Sequence, residues 1–294
     1  RIMSIVFVVC MVQAAVCAAD LYVAAGASGD GSIAKPFGDI QKAIDSAVAR
    51  DVIHVAQGVY SGRLKVGYIV VDKRGLTLVG GYRDASFGSR NPFKWPVIIM
   101  EDTNSGHSVF EGGYIRTDKA GSPTDHASTT LDGFWFDRRG QNAYDEKGNL
   151  LVPTSSNTRP IVEFEAPDCH IRNCVFLNTA FYALRLAGDG SSVENCLFLN
   201  MNYAGIDIYG KGELIGKGYP FPRFRVERST FVSVWNCCSI ERGAGSFIVH
   251  NGNADMTIKD NIFHLSAGNS SSMGYVLKDE KNFKANEWIH FSGN

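Results

Sequence analysis

Hydrophobic residues in this chain occur mostly in short runs that alternate with polar residues and end at Gly or Asn. Only one early segment, with Ile40, Ala43, Ile44 and Ala47, has apolar residues at helical spacing. From Val52 onwards the alternation is typical of short strands separated by turns. The pattern therefore predicts an all-β chain with one short helix, within about residues 37–50.

A six-residue motif recurs along the second half of the chain. It consists of an apolar residue, two variable residues, a small residue or Asn, a variable residue and an aromatic residue. The closing aromatic residues are separated by 40, 22, 33, 32 and 25 positions. They are Phe136, Phe176, Phe198, Phe231, Phe263 and Trp288. A minimum spacing of 22 fits a solenoid coil of three strands and three turns, with extra residues inserted in one turn. We expect regular coils from about residue 129.

A second column of alternating residues follows the aromatic positions. Glu163, Arg185, Asp207 and Glu241 each lie beside apolar residues in short strand-like segments. Because side chains alternate between the two faces of a strand, the apolar residues are expected inside the solenoid and these four outside. Stacking of successive coils then predicts a charged row along one outer face.

The composition indicates a globular protein that does not bind nucleic acid. The 294 residues are 45% hydrophobic and 20% charged, with a formal net charge of −1. This content of apolar residues excludes general disorder, and the charge balance removes the broad attraction to polyanions. The repeat makes residues 20–294 one domain, which we expect to be monomeric. The 31 glycines supply its many turns.

The first 19 residues have the features of a secretory signal. Ile2 to Ala19 form an apolar run that ends in small residues, which suits cleavage after Ala18 or Ala19. No later run is long enough to span a membrane. We therefore expect a secreted, periplasmic or cell-surface protein. The repeat stops after Trp288 without an end cap, so further C-terminal coils are expected as well.

The N-terminal segment resembles a known superfamily. Lys35-Pro36-Phe37, the segment Ile40–Ile44 and the segment Val52–Tyr60 are similar to the opening of secreted right-handed parallel β-helix proteins of the pectin-lyase-like superfamily. The resemblance implies a right-handed parallel β-helix with an N-terminal helical cap. It also implies a protein that binds or acts on polysaccharide. The motifs of polygalacturonases, pectate lyases and mannuronan epimerases are absent from the sequence, so no specific enzyme family is matched.

A polysaccharide lyase that acts on acidic glycans is the leading functional hypothesis. β-Elimination from a uronate requires a group that neutralises the carboxylate and a base that removes the C5 proton. The candidate catalytic residues are Arg185, Asp207, Glu241, Arg242 and His250. The candidate substrate-binding residues are Glu163, Lys211, Lys217, Tyr219 and Arg225. Glu163, Asp207 and Glu241 are also candidate metal ligands, for which Ca²⁺ is the candidate ion because it prefers oxygen ligands.

A non-catalytic surface, adhesion or structural protein is the alternative. In that case the charged row only neutralises stacked neighbours, and each exposed pair contributes about 0–1 kcal/mol. The sequence does not decide whether the protein is an enzyme. Cys174 and Cys196 occupy the same position in adjacent coils, where we expect buried, stacked thiols.

Overall fold

The computed structural model of this protein describes twelve segments of the chain. They are residues 18–62, 69–101, 115–117, 128–137, 160–179, 182–201, 204–208, 222–236, 246–250, 254–268, 277–279 and 289–294. These segments contain one helix and 23 strands, arranged in three parallel sheets.

The nine-stranded first sheet includes the first and last strands described. In spatial order it contains β1 (Asp20–Val23), β2 (Val52–Ala56), β5 (Leu76–Tyr82), β8 (Thr129–Asp132), β11 (His170–Arg172), β14 (Ser191–Glu194), β17 (Arg223–Glu227), β20 (Asp255–Lys259) and β23 (Ile289–Ser292).

The other two sheets have seven strands each. The second sheet contains β4 (Ile69–Val71), β7 (Ile115–Thr117), β10 (Val162–Phe164), β13 (Tyr182–Leu186), β16 (Ala204–Ile208), β19 (Ser246–His250) and β22 (Leu277–Asp279). The third contains β3 (Gly58–Gly62), β6 (Val97–Glu101), β9 (Phe134–Asp137), β12 (Val175–Thr179), β15 (Leu197–Met201), β18 (Thr230–Asn236) and β21 (Ile262–Gly268).

The order of strands confirms the predicted right-handed parallel β-helix. The chain passes from the first sheet to the third, then to the second, and returns to the first one coil further along. Each strand pairs in parallel with the equivalent strand of the next coil. Every coil thus contributes one strand to each sheet, and the core lies between the three sheets.

The predicted aromatic row forms the core side of the third sheet. Phe176, Phe198 and Phe231 are fully buried, and the Phe198 ring is stacked on both neighbours with centroid distances of 4.8 and 4.5 Å. Phe136 precedes them in the row, and Ile99 and Tyr60 occupy the same row in the two coils before Phe136. The coils therefore begin near residue 52, earlier than the predicted start near 129, because the first coils lack the Phe that marks the repeat.

The N-terminal helix packs where it was predicted. Helix α1 (Ile40–Ser46) buries Ile40, Ala43 and Ile44 against the first coil. Its N-terminus is capped by Asp39, whose carboxylate accepts a 2.8 Å hydrogen bond from the Lys42 amide.

The last predicted repeat was wrong. Phe291 in β23 pairs with Ile258 of the preceding coil, which places Phe291 in the apolar row of the first sheet. The motif ending at Trp288 assigned that row to Phe283 instead. The spacing between coils varies, so a short motif with two apolar positions can be matched several residues out of register.

The turns between the first and third sheets comprise one or two residues, except that residues 83–96 join β5 to β6. Asn173 and Asn195 adopt left-handed backbone conformations, with φ of 55° and 50°. The Asn195 amide donates a 2.7 Å hydrogen bond to the Asn173 side-chain oxygen. Asn tolerates the left-handed region better than most residues because its short polar side chain forms local hydrogen bonds. The two thiols that follow, Cys174 and Cys196, are free and buried, as predicted.

The connections that border the second sheet vary greatly in length. In the coil that contains β13 they comprise residues 180–181 before this strand and 187–190 after it. Elsewhere they comprise residues 102–114, 138–161, 209–222 and 237–245, most of which lie outside the described residues. No helix within the described part of the chain is long and apolar enough to cross a membrane.

Candidate functional site

Three predicted site residues meet on the outer face of the second sheet. Glu163, Arg185 and Asp207 are consecutive partners in the parallel register of β10, β13 and β16. Arg185 Nε donates a 2.6 Å hydrogen bond to Asp207 Oδ2, and Arg185 Nη1 lies 3.5 Å from Glu163 Oε1. We call these three residues the Arg185 cluster. This part of the predicted charged row is present as a chain of ion pairs.

The Arg185 cluster is much less exposed than predicted. The side chains of Glu163 and Asp207 are 6% and 0% exposed, whereas that of Arg185 is 22% exposed. The Arg185 guanidinium also lies 5.5 Å from the centre of the Tyr182 ring, within cation–π range. Arg185 is therefore the member of the cluster with access to solvent.

The electrostatic environment keeps Arg185 protonated. Burial alone would lower the pKa of the guanidinium, but the charge of Asp207, its hydrogen bond and the charge of Glu163 together raise the pKa above its ordinary value. An arginine needs a depressed pKa to act as a base. In this arrangement Arg185 is a permanent cation that can bind a carboxylate, and it cannot remove a proton.

The register does not extend the charged row to Glu241. The residue that pairs with Asp207 in the next coil is Val249, in β19. Glu241 and Arg242 fall in the connection of residues 237–245, outside the described residues. The predicted fourth position of the row was therefore wrong.

His250 occupies a different row from the Arg185 cluster. Its backbone pairs with Ile208, in register with Leu186 and Phe164 of the preceding coils, all of which are buried apolar residues. The structure thus does not place His250 beside Asp207 in the register.

Arg225 also lies apart from the Arg185 cluster. It belongs to β17 of the first sheet, where it pairs with Ser192 and Thr257, and it is exposed. The strand that follows the 209–222 connection has already passed to the next sheet, and a substrate-binding role for Arg225 stays a prediction. Lys211, Lys217 and Tyr219 lie in that connection, outside the described residues.

The described residues do not supply a metal site. No group of three or more His, Cys, Asp or Glu side chains in the described segments could hold an ion. Neighbouring strands are about 4.8 Å apart, so Glu163 and Asp207 start from backbones separated by about 10 Å. Arg185 lies between them, whereas Ca²⁺ ligands must converge to about 2.3–2.6 Å from one ion. A Ca²⁺ site that includes Glu241 stays a prediction.

A second polar cluster on the outside of the first sheet was not predicted from the sequence. His54 Nε2 lies 2.8 Å from Asp20 Oδ1, and His54 Nδ1 lies 2.7 Å from Tyr82 Oη. The Tyr22 ring is stacked on His54, and the Phe87 ring packs edge-on against Tyr22 and Tyr82. Sequence spacing gave no sign of this cluster, because a register shift between Val55 and Ala56 brings Tyr82 next to β2.

Comparisons with known proteins do not define an activity for this chain. A family model described as "Protein of unknown function (DUF1565)" matches residues 23–121, about a third of the chain. No curated protein matches the chain.

Two similar solved structures are pectin-related proteins. The first is the crystal structure of pectate lyase Pel9A, with 14% identity and a TM-score of 0.44; the match covers 83% of this chain and 62% of that one. The second is a pectin methylesterase from carrot, with 14% identity and a TM-score of 0.33; the match covers 90% of this chain and 89% of that one. This chain thus spans less than two thirds of the pectate lyase.

Proposed function

We propose that this protein is an exported polysaccharide lyase that binds an acidic glycan along the outer face of the second sheet. The observation that carries the proposal is the Arg185 cluster, a partly exposed cation held in place by two buried carboxylates. Structural ion pairs on a solenoid surface need no such burial, and taking charges out of water costs free energy. Positioned cations of this kind are common where a charged ligand binds.

The position of the cluster supports the same proposal. Two long connections adjoin the strands of the second sheet, residues 138–161 before β10 and residues 209–222 after β16. Loops held by a rigid scaffold commonly carry binding and catalytic residues. The second of these connections contains Lys211, Lys217 and Tyr219, which we propose as substrate-binding residues that pair with carboxylates and stack on sugar rings.

The cluster suggests a division of roles in β-elimination. Arg185 binds and neutralises the uronate carboxylate, which lowers the pKa of the adjacent C5 proton. Asp207 and Glu163 hold the guanidinium in position, and the 3.5 Å contact with Glu163 is the longer one. A substrate carboxylate would therefore compete with Glu163 more readily than with Asp207. Glu241, Arg242 and His250 stay the candidate proton-transfer groups, and Glu241 stays a candidate Ca²⁺ ligand.

A non-catalytic glycan-binding or surface protein is the second candidate. The full burial of Asp207 favours it, because a buried carboxylate hydrogen-bonded to Arg185 at 2.6 Å also fits a purely structural role. The two candidates differ in whether a product forms.

The test is an ultraviolet absorbance assay for the unsaturated product of β-elimination. Purified protein is incubated with alginate, pectate and glycosaminoglycans, with and without Ca²⁺, and glycan binding is measured in parallel by calorimetry. The variant Arg185→Gln removes the cation. Arg223→Gln is the matched control, because it removes an exposed arginine from an ion pair with Asp189 on another sheet. Arg185→Lys retains the charge if the glutamine variant folds poorly.

The expected result is an absorbance increase with at least one acidic glycan, reduced at least 100-fold by Arg185→Gln and unchanged by Arg223→Gln. Glycan binding without product formation would contradict the lyase and support the non-catalytic binding protein. Neither product nor binding with any of the three glycans would overturn both proposals.

A further inference from the structure

A buried carboxylate lies beside the first described residues of the chain. Asp51 is 3% exposed, although it directly precedes β2. Its Oδ1 accepts a 2.8 Å hydrogen bond from the Ala19 amide, and its Oδ2 accepts a 2.8 Å bond from the Val48 amide. Both carboxylate oxygens are therefore occupied, and the donors are neutral backbone groups.

Asp51 differs from the other buried acidic residues of the described segments in the kind of partner it has. Asp132, Glu163 and Asp207 each form an ion pair with an arginine. Within the described part of the chain no Lys, Arg or His side chain pairs with Asp51. Acidic residues are rarely buried unless they are paired, because an isolated charge loses its hydration. A cation in place of one neutral donor would compensate the charge of Asp51 more fully than a backbone amide does.

Ala19 is the donor that can become a cation. Its nitrogen points at Asp51 Oδ1, while its carbonyl accepts a 2.9 Å hydrogen bond from the Val52 amide. Ala18 and Ala19 are both exposed, so a charged amine at this point would keep contact with water. The Val48 amide belongs to an internal peptide bond that stays intact, so it cannot become charged. Hydrolysis of the bond before Ala19 would turn its nitrogen into an α-ammonium group.

We propose that the export signal is cleaved between Ala18 and Ala19, and that the new α-ammonium group of Ala19 forms an ion pair with buried Asp51. A signal peptidase adds water across the Ala18–Ala19 amide bond. The Ala18 carbonyl carbon takes the hydroxyl and leaves with the signal as a carboxylate. The Ala19 nitrogen keeps its place and takes up protons. The proposal rests on the predicted export of the chain and does not depend on the glycan activity.

The geometry discriminates between the two cleavage positions that the sequence allows. Small residues precede both Ala19 and Asp20, so either bond suits a signal peptidase. Cleavage after Ala19 would remove the nitrogen that binds Asp51 and the carbonyl that binds the Val52 amide. It would leave the buried carboxylate with one donor fewer. Cleavage after Ala18 retains both bonds and strengthens one of them, because hydrogen bonds between charged groups are the stronger kind.

The first experiment determines the mature N-terminus. The full chain is expressed in a host with a secretory pathway, and the exported protein is analysed by N-terminal sequencing and intact mass. The expected N-terminus is Ala19. A start at Asp20 or later, or an exported protein that retains the signal, would overturn the proposed cleavage.

The second experiment measures the ion pair itself. Two forms of the protein are compared by urea unfolding, one starting at Ala19 with a free amine and one extended by the preceding residues. Asp51→Asn is introduced into both forms. We expect its shift of the urea midpoint to be at least twice as large in the Ala19 form. Asp72→Asn, an exposed control, should shift both forms equally. Equal shifts for Asp51→Asn would overturn the ion pair.

A chemical modification of the α-amine tests the ion pair even if Asp51→Asn does not fold. Selective acetylation of the α-amine of the Ala19 form removes the charge without changing a side chain. The acetylated protein should unfold at a lower urea concentration than the free amine. An unchanged midpoint would again contradict the ion pair, and neither result depends on whether a glycan is cleaved.

Discussion

Asp132 is a buried carboxylate that accepts hydrogen bonds from three different residues. It accepts bonds from Arg90 Nη2 at 2.5 Å, Arg172 Nε at 2.9 Å and Asn173 Nδ2 at 2.7 Å. Arg90 belongs to the long connection between β5 and β6, and its Nε also donates to the Gly80 carbonyl. Asp132 therefore joins this connection to two consecutive coils.

Removal of the Asp132 charge should destabilise the folded protein. Asp132→Asn leaves two arginines without their buried carboxylate, and we expect a loss of about 2–3 kcal/mol in the free energy of unfolding, measured in urea. Glu194→Gln is the control. Glu194 pairs with Arg228 where both side chains are about half exposed, and its loss should cost less than about 1 kcal/mol. Equal losses for the two variants would show that Asp132 does not hold the connection.

At the scale of the element, the stacked core row sets the register of the third sheet. The rings of Phe176, Phe198 and Phe231 are nearly parallel, with interplanar angles of 4° and 3°. A shift of one residue in any of these strands would turn the ring out of the core. The row explains why the aromatic repeat was visible in the sequence.

Truncation of the central ring should be costly. Phe198→Ala opens a cavity between two fully buried rings, and we expect a loss of about 3–5 kcal/mol in the free energy of unfolding. Phe93→Ala, at a ring that is 48% exposed, should change the stability by less than about 0.5 kcal/mol. A small effect of Phe198→Ala would mean that the coils slide or repack around the missing ring.

The sequence predicted strands well where the turns are short. β10, β13 and β16 were all located by the 22-residue spacing, and Glu163, Arg185 and Asp207 occupy the expected row. The prediction failed for Glu241 because the connection after β18 comprises residues 237–245, and only its far end leads into β19. Turn length is not encoded in the alternation of apolar and polar residues. The Asp20–His54–Tyr82 contacts were missed because they depend on a local register shift.

At the scale of the whole molecule, the described strands pair only with the equivalent strands of neighbouring coils. Sheet pairing links every strand to the equivalent strand one coil before and one coil after. The stability of such a solenoid is approximately the sum of coil and interface contributions. Whole coils should therefore be removable units.

Deletion of residues 175–196 should leave a folded, shorter solenoid. Partners in this coil are offset by 22 residues, so the deletion joins Cys174 to Leu197 in register. It also removes Arg185 and sets Glu163 opposite Asp207, so the variant carries Asp207→Arg to avoid adjacent like charges. Circular dichroism and urea unfolding should show a cooperative β protein. Deletion of 175–197, one residue longer, is the control and should unfold at a lower urea concentration or fail to fold. Equal stability of the two deletions would contradict the fixed register.

The tight turns between the first and third sheets and the connections beside the second sheet are under different evolutionary constraints. The tight turns with left-handed Asn173 and Asn195 leave little freedom for insertion, because their side chains are hydrogen-bonded to each other across adjacent coils. The connections on either side of the second sheet differ in length from coil to coil and leave the stack intact. New surface chemistry can therefore be acquired by exchanging those connections, because the stacked strands that determine the fold stay unchanged. A designer could use the same division by grafting loops at residues 180–181 and 187–190.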